Sequence, residues 1–461
     1  MRQQTSQDDT ICAISTAIGF AGIGVIRISG ARAFQVAQPL FRGAGQLSKT
    51  PTHTARYGHL VDPSAQRVID EALFLIMKAP HTYTGEDVVE IQTHGNPLVL
   101  EKILSLLITQ GARLATPGEF TRRAFLSGRL DLAQAEAVME MIIAENWDHH
   151  DWALNQLKGK LSTKIEFLRQ RLLQILAHTE ASIDFSEEGI TFETTADMKK
   201  EVSAISEEIE TLLAGYTEGR KIRDGYTVVI IGRPNVGKSS LMNLLLQEDR
   251  AIVTPHPGTT RDILQETVYI EGLPFRITDT AGYRETNDPI EAEGVRRGEE
   301  ALEKADLVLW MLDSSEKVQT EDDILARRLK GLRKVILLNK ADLPAQLDEN
   351  QVRSWDSENP ILPFSTITGQ GLALLKKEIK AALGRHPEKE RPLVALLRHK
   401  LALERAGKSL HRANEALDME ASSEFLATDL REAIDALGEI VGETTTDEIL
   451  DQIFNQFCIG K

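Results

Sequence analysis

Apolar and polar positions follow different rhythms in successive parts of this chain. From Thr10 to about Phe120, short apolar runs at Thr10 to Ser15, Gly24 to Ile28, Ala72 to Met77 and Val88 to Thr93 read as strands, and Leu98 to Gln110 carries helical periodicity. From Pro117 to about Glu218 the pattern becomes long amphipathic stretches rich in Ala, Leu, Glu and Gln, with little Gly or Pro after Gly128, which predicts helix and not sheet. At Tyr226 it changes again. The apolar run Val228 to Ile231 leads into a Gly-rich turn and then into Ser240 to Leu246, the strand, loop and helix that open a doubly wound α/β domain. Further apolar runs at Leu307 to Leu312 and Val335 to Leu338 are separated by helical stretches, as buried parallel strands require. After Pro387 and Pro392 the amphipathic pattern returns at Val394 to Leu417 and Ser423 to Val441.

These changes predict four segments: an α+β domain over 1–120, a helical part over 121–222, a P-loop α/β domain over 223–385, and a second helical part over 386–461. The two helical parts resemble each other, so the α/β unit reads as an insertion within one discontinuous helical domain. A chain of 461 residues has room for several cores.

Composition narrows the partners. With 42% hydrophobic and 26% charged residues the chain is globular, not disordered. Its 53 Lys and Arg against 69 Asp and Glu leave a net charge of -16, which argues against binding nucleic acid by coating phosphates. Segment 121–222 holds 12 basic and 18 acidic side chains, and 386–461 holds 9 and 15, so the helical parts carry most of the excess. That reads as a solvated helix surface or as a docking face for a basic partner. Cys12 and Cys458 rule out a disulfide framework or a Cys-rich zinc site. The apolar stretch Ile11 to Ile26 follows two aspartates and is broken by Gly19, Gly22 and Gly24, unlike a signal peptide. No stretch approaches the roughly 20 apolar residues that span a bilayer. A cytoplasmic protein with no membrane span is expected. His149 and His150 read as surface residues, and no His, Cys or Asp cluster has metal-ligand spacing.

Chemistry enters at Gly232-Arg233-Pro234-Asn235-Val236-Gly237-Lys238-Ser239, which fits the phosphate-binding loop. Glycines let backbone N–H groups wrap phosphate oxygens at a helix N-terminus, Lys238 reaches the β and γ phosphates, and Ser239 offers a Mg²⁺ ligand. Asp279-Thr280-Ala281-Gly282 follows the alternating run Pro274 to Thr278, where an acidic residue can hold Mg²⁺ through water and the glycine N–H can sense the γ phosphate. Asn339-Lys340-Ala341-Asp342 ends the run Val335 to Leu338. A carboxylate there accepts two hydrogen bonds from guanine, a pair adenine cannot donate. Thr259-Thr260-Arg261-Asp262 supplies a threonine hydroxyl for Mg²⁺ on a switch segment. The ordered set predicts a translation-factor-type GTPase. Where many such enzymes place a water-orienting Gln after Asp-x-x-Gly, this chain has Tyr283. Glu285, Asp288, Glu291 and Glu293 are the acidic replacements available, and composition does not choose among them. At the other end, Cys458 precedes Ile459, Gly460 and Lys461 after an apolar helical pattern at Ile449, Ile453, Phe454 and Phe457. It reads either as a small buried thiol or as a thiol activated by the neighbouring lysine.

Several local motifs together resemble one family from end to end, the MnmE (TrmE) tRNA modification GTPases. They are Asp9-Thr10-Ile11, Gly24-Val25-Ile26-Arg27-Ile28-Ser29-Gly30, Tyr83-Thr84-Gly85-Glu86-Asp87, Pro117 to Phe125, the GTPase motifs and the terminal Cys-Ile-Gly-Lys. A ribosome-assembly GTPase would share only the middle third. The resemblance implies an N-terminal domain that binds a tetrahydrofolate derivative and makes a constitutive homodimer, and a split helical domain holding a Ras-like GTPase domain. It implies a flavoprotein partner, MnmG (GidA), with which an aminomethyl-type or carboxymethylaminomethyl group is installed at C5 of the wobble uridine of certain tRNAs. It also assigns Asn235 as a K⁺ ligand beneath a loop spanning Val253 to Thr259, with Thr254, His256 and Thr259 as further K⁺ ligands and Pro255, Pro257 and Gly258 beside the nucleotide. GTP or GDP would be held by Asn235, Val236, Gly237, Lys238, Ser239, Ser240, Asp279, Thr280, Ala281, Gly282, Asn339, Lys340, Asp342 and Ser365, and Mg²⁺ by Ser239 and Thr260. Glu291 is nominated to orient the hydrolytic water, Arg27, Glu71, Arg123 and Lys461 to contact the folate, and Cys458 as a redox or catalytic thiol.

The chain departs from the family at two places. Gly19-Phe20-Ala21-Gly22 lacks the arginine of the usual Gly-Arg-Gly, and Ser365-Thr366-Ile367 replaces Ser-Ala-Lys. The alternatives to a modification enzyme are a regulatory switch whose GTP-bound state docks partners and a ribosome-assembly factor.

Overall fold

The computed structural model describes residues 9–184, 194–248, 265–270, 273–279, 302–383, 392–419 and 422–461. They fall into two compact units, one drawn from Met1–Ile143, Ala153–Leu213 and Arg398–Lys461 and the other from Ala144–Trp152 and Ala214–Leu397.

In the first unit, β1 (Ile11–Ile14), β2 (Ala21–Ser29), β3 (Phe41–Arg42), β4 (Thr54–Asp62), β5 (Arg67–Met77), β6 (Val88–Gly95) and β7 (Arg113–Leu114) form one sheet of order β3-β4-β5-β6-β2-β1-β7. All pairings are antiparallel except β1 with β7. Alternation along the strands sends Ile26, Ile28, Phe74, Ile76, Val89 and Ile91 to one face, where they pack with Leu100, Ile103 and Leu107 of the helix Pro97–Thr109. That helix begins where the Asn96 side chain accepts from the Leu98 N–H, with Pro97 in its first turn. The expected strands are present. β4 was not anticipated, because Thr-Ala-Arg-Tyr-Gly-His at its start interleaves no apolar face strong enough to signal a strand.

The same unit holds the helices Glu119–Leu126, Leu132–Ile143, Lys160–Asp184, Thr195–Ala214, Leu397–Asp418, Ser423–Val441 and Asp447–Phe454. The helix expected from Val394 begins at Leu397; Val394 and Ala395 are buried but precede it. The division expected at 120 falls within Glu119–Leu126. Ser423–Val441 stops at Gly442, whose φ of 90° is left-handed and whose missing Cβ leaves room for Phe125; a Cβ there would lie 2.7 Å from that ring. Early and late helical segments are joined by charge. Glu136 accepts from Arg398 at 2.6 Å and lies 2.8 Å from His399 Nε2, with side chains 11%, 20% and 1% exposed respectively.

The second unit carries a six-stranded sheet, built from β8 (Tyr226–Ile231), β9 (Gln265–Ile270), β10 (Leu273–Asp279), β11 (Leu307–Asp313), β12 (Lys334–Asn339) and β13 (Ile361–Pro363), in the order β13-β12-β11-β8-β10-β9. Only β9 pairs antiparallel. Every residue of β11 and β12 is buried, which explains their unbroken apolar runs: helices cover both faces of a parallel sheet. Val228 and Ile230 join one core with Leu309 and Met311, and Val229 and Ile231 join the other with Val308 and Trp310. His149, read as a surface residue, is instead buried, its ring 6.1 Å from that of Trp152 on the helix Trp147–Leu157. The three-residue spacing puts both rings on one helix face, whose burial the local sequence does not reveal. No helix among the described residues is long and apolar enough to cross a membrane.

Burial would push the Glu136 carboxyl up, but Arg398 and His399 overcome it and hold the pKa at about 2, below the ordinary 4.5. A depressed carboxylate contributes stability above pH 4.5 that is lost as pH falls toward 2. Replacing Glu136 with Gln should therefore destabilise the chain at pH 7 by on the order of 3 kcal/mol, since Arg398 loses its partner. In urea titrations the gap to wild type should close on acidification below pH 4.5; a gap that persists at low pH would mean the carboxylate is not the source.

Candidate functional site

Three connections meet at the C-terminal edge of the parallel sheet, the usual place for a ligand in such a fold. The first follows β8. Gly232 lies so close to β11 that a Cβ would come 2.4 Å from the Met311 carbonyl oxygen. Asn235 takes a left-handed φ of 63°, a conformation asparagine tolerates better than most side chains. Gly237, at φ 104°, would place a Cβ 2.3 Å from Asn339 Nδ2. The helix Lys238–Glu248 then begins. Buried Lys238 donates from Nζ to the Gly232 and Arg233 carbonyls, both at 2.9 Å. Ser239 and Ser240 are exposed on the first turn of this helix, and Asn235 is exposed on the loop.

The second connection follows β12. Asn339 is 1% exposed. Its Nδ2 donates to the Val236 carbonyl at 2.6 Å, and its Oδ1 accepts from the Thr366 N–H at 3.0 Å. Lys340 has a left-handed φ of 64° and pairs with Asp313, the last residue of β11. Burial opposes ionisation of Asp313, but Lys340 and Ser315 hold its carboxyl below the ordinary value. Ser365, fully buried after β13, donates to Asp342 Oδ1 at 2.5 Å, which fixes the orientation of that carboxylate. The third connection leaves β10, whose last residue Asp279 is in register with Ile230, just before the phosphate loop.

The predicted residues Asn235, Val236, Gly237, Lys238, Ser239, Asn339, Lys340, Asp342 and Ser365 are thus assembled at one end of one sheet. Thr254, Pro255, His256, Pro257, Gly258, Thr259, Thr260, Thr280, Ala281, Gly282 and Glu291 lie outside the described residues, as do Tyr283, Glu285, Asp288 and Glu293. Sequence reasoning missed Asp313, Thr366 and Asp322. The first was open to detection as an acid ending the strand beside Asn339; the others depend on tertiary contact. Among the described residues no group of three or more His, Cys, Asp or Glu is placed to hold a metal.

In the first unit, Arg27 on β2 pairs with Glu90 at 2.8 Å, its guanidinium 5.5 Å from the Tyr83 ring centroid and 5.7 Å from that of Phe120. The C-terminus tucks in beside it. Gly460 accepts from Ser15 Oγ at 3.3 Å, and the Phe120 N–H donates to the Lys461 carbonyl at 3.2 Å. Burial first, and then the charge of Arg27, push the Lys461 ammonium below its ordinary pKa. Arg27 Nη1 lies 3.5 Å from the Gly460 carbonyl oxygen, which sets Arg27 beside this tail. Arg123 is engaged elsewhere, donating to Asp9 at 2.6 Å, Glu119 at 3.0 Å and Glu86 at 3.1 Å. Glu71 is not brought to the pair: on β5 it opposes His59 of β4, while the β5 residue level with Arg27 across β6 is Leu75. Cys458 is exposed beyond the end of Asp447–Phe454, not buried on it; Cys12 is the buried thiol.

A helix N-terminus prepared for phosphates and an oriented carboxylate prepared for guanine make the second unit a P-loop GTPase domain. Two family models match the chain: "GTP-binding protein TrmE N-terminus" over residues 10–129 and "MnmE helical domain" over 132–458. The tRNA modification GTPase MnmE of Enterococcus faecalis is 44% identical, covering all of both chains. That of Syntrophus aciditrophicus is 45% identical over 98% of this chain and 99% of the relative. The chain belongs to the MnmE (TrmE) family of tRNA modification GTPases.

Replacing Asp342 with Asn should weaken GTP binding and relax the guanine preference by about 1 to 3 kcal/mol, because an amide can turn a donor toward the N1 donor of the base. Competition of GTP against other purine nucleotides for the variant measures this; unchanged discrimination would reject the assignment.

Proposed function

We propose that this chain is the GTP-hydrolysing component of a complex that modifies C5 of the wobble uridine in certain tRNAs, acting in the cytoplasm with the flavoprotein MnmG and a folate one-carbon donor. The observation that carries the reading is the end-to-end match to relatives named as tRNA modification GTPases, around a GTPase site whose phosphate and base loops are both built. An assembly switch sharing only the GTPase third would not match through the N-terminal sheet and the C-terminal helices.

In this reading the loop from Gly232 to Lys238 positions the phosphates, Asp342 selects guanine, and Ser239 with Thr260 would hold Mg²⁺. Asn235, with Thr254, His256 and Thr259, would hold K⁺, whose charge would offset that developing between the phosphates. Water attacks the γ phosphorus and releases GDP and phosphate, with Glu291 orienting the water where other GTPases use Gln. The N-terminal sheet makes the homodimer. Arg27, paired with Glu90, and Lys461 supply cationic groups for a folate derivative. Arg123, which pairs with Asp9, Glu86 and Glu119, and Glu71 are the remaining candidates for folate contact. Cys458, exposed three residues before Lys461, is the candidate thiol.

Reconstitution with MnmG, the folate donor, GTP and unmodified tRNA should yield modified uridine by nucleoside mass spectrometry, and omitting GTP or this chain should abolish it. Modification that proceeds equally without either would overturn the proposal.

Glu291 separates catalysis from binding. Glu291→Ala should lower kcat by about 10² to 10⁴ fold while the affinity for a non-hydrolysable GTP analogue stays unchanged, since only interactions stronger in the transition state alter the chemical step. Measured in K⁺ and in Na⁺ buffers, wild-type turnover should be fast only in K⁺. Wild-type turnover in the variant would transfer the role to Glu285, Asp288 or Glu293, and equal rates in both salts would remove the K⁺ site.

A further inference from the structure

Arg233, the second residue of the phosphate loop, does not point into solvent. Its side chain is 14% exposed and donates from Nε to Asp322 Oδ1 at 2.9 Å, with Nη2 3.3 Å from Glu316 Oε2. Asp322, 1% exposed, is itself fixed. Its second oxygen accepts from the Gln319 N–H at 3.0 Å, and the Gln319 side chain accepts in return, a capping box that starts the helix Thr320–Arg328. The same connection reaches the base loop at its other end. Asp313 pairs with Lys340, and the Ser314 N–H donates to the Asn339 carbonyl at 2.8 Å, while the Ser314 carbonyl accepts from Gln346 at 2.8 Å. Asp313 is also pinned by the Ser315 N–H and hydroxyl, at 2.9 and 2.6 Å.

We infer that the connection 313–322 is a brace shared by the two nucleotide-binding loops, and that Arg233 and Asp322 are positioning residues for GTP and GDP. The inference rests on the nucleotide-binding reading and adds to it. The phosphate loop holds a left-handed asparagine and two close-packed glycines, so its shape is not the one a free chain prefers. Lys238 fastens it from inside, through the Gly232 and Arg233 carbonyls. Arg233 fastens it from outside, to a carboxylate too buried to exchange its partner for water. Burial raises the Asp322 pKa, and Arg233 and the Gln319 N–H counter that rise, so the carboxylate and the guanidinium depend on each other. Because the brace also holds Lys340, a disturbance at Arg233 is carried to the base loop through one short, hydrogen-bonded segment.

The test is equilibrium titration of the full chain with fluorescent mant-GDP, together with thermal unfolding of the nucleotide-free protein, for Arg233→Ala, Asp322→Asn, the double variant and Arg233→Lys. Arg233→Ala and Asp322→Asn should each weaken GDP binding by roughly tenfold or more, the scale of one buried charge-assisted hydrogen bond. The double variant should bind no worse than either single one, because both remove the same contact. Arg233→Lys should recover part of the loss, since an ammonium can reach Asp322 but cannot fork to Glu316 as well; it also preserves the test if the alanine variant folds poorly. Unchanged GDP affinity, even with a lowered unfolding temperature, would reduce the contact to a structural one and overturn the inference, as would additive losses in the double variant. Absence of GDP binding by the wild type would instead bring down the nucleotide reading on which the brace depends.

Discussion

One buried amide ties together the two loops that would hold a nucleotide. Asn339 donates to the Val236 carbonyl of the phosphate loop and accepts from the Thr366 N–H of the loop after β13, so three connections from three strands share a single planar group. An amide without partners in so dry a place would cost roughly 1 to 3 kcal/mol. The surrounding chain is therefore constrained to deliver a carbonyl on one side and an N–H on the other. Position 237 has to be glycine for the same reason, because a Cβ would stand where the amide nitrogen stands. Asp342, three residues beyond Asn339, is placed by this anchor and oriented by Ser365.

Charge does comparable work in the first unit, at greater range. Asp9, Glu86 and Glu119 converge on Arg123, and Glu119 also takes Arg113, which joins the start of β1 to the first helix after the sheet. Glu136 with Arg398 and His399 joins helices separated by more than half the chain. Burial alone would push the Glu119 carboxyl up; Arg113 and Arg123 instead hold it at about 2. These contacts lie where single substitutions leave an uncompensated charge, and so they specify which helices pack together.

The sequence by itself determined the buried strands β8, β11 and β12 of the GTPase domain and the motifs of its nucleotide loops. Short unbroken apolar runs bounded by turn residues suit strands covered on both faces, and a glycine-spaced loop ending in Lys-Ser and an Asn-Lys-x-Asp encode their contacts in a few consecutive residues. β4 escaped notice because its alternation is weak, and His149 because nothing local shows which helix face is covered. What only the tertiary structure decided are the contacts between residues far apart in the chain. Arg233 finds Asp322 across 89 positions, Arg27 comes to lie near the C-terminal tail, and Cys458 ends exposed beyond its helix. Strand register sets Glu71 apart from Arg27, and Arg123 finds its partners in Asp9, Glu86 and Glu119. The physical reason is the same in each case. Periodicity and short motifs report backbone geometry over one or two turns, whereas the partner of a charged side chain is set by sheet order and helix packing, which no local pattern carries.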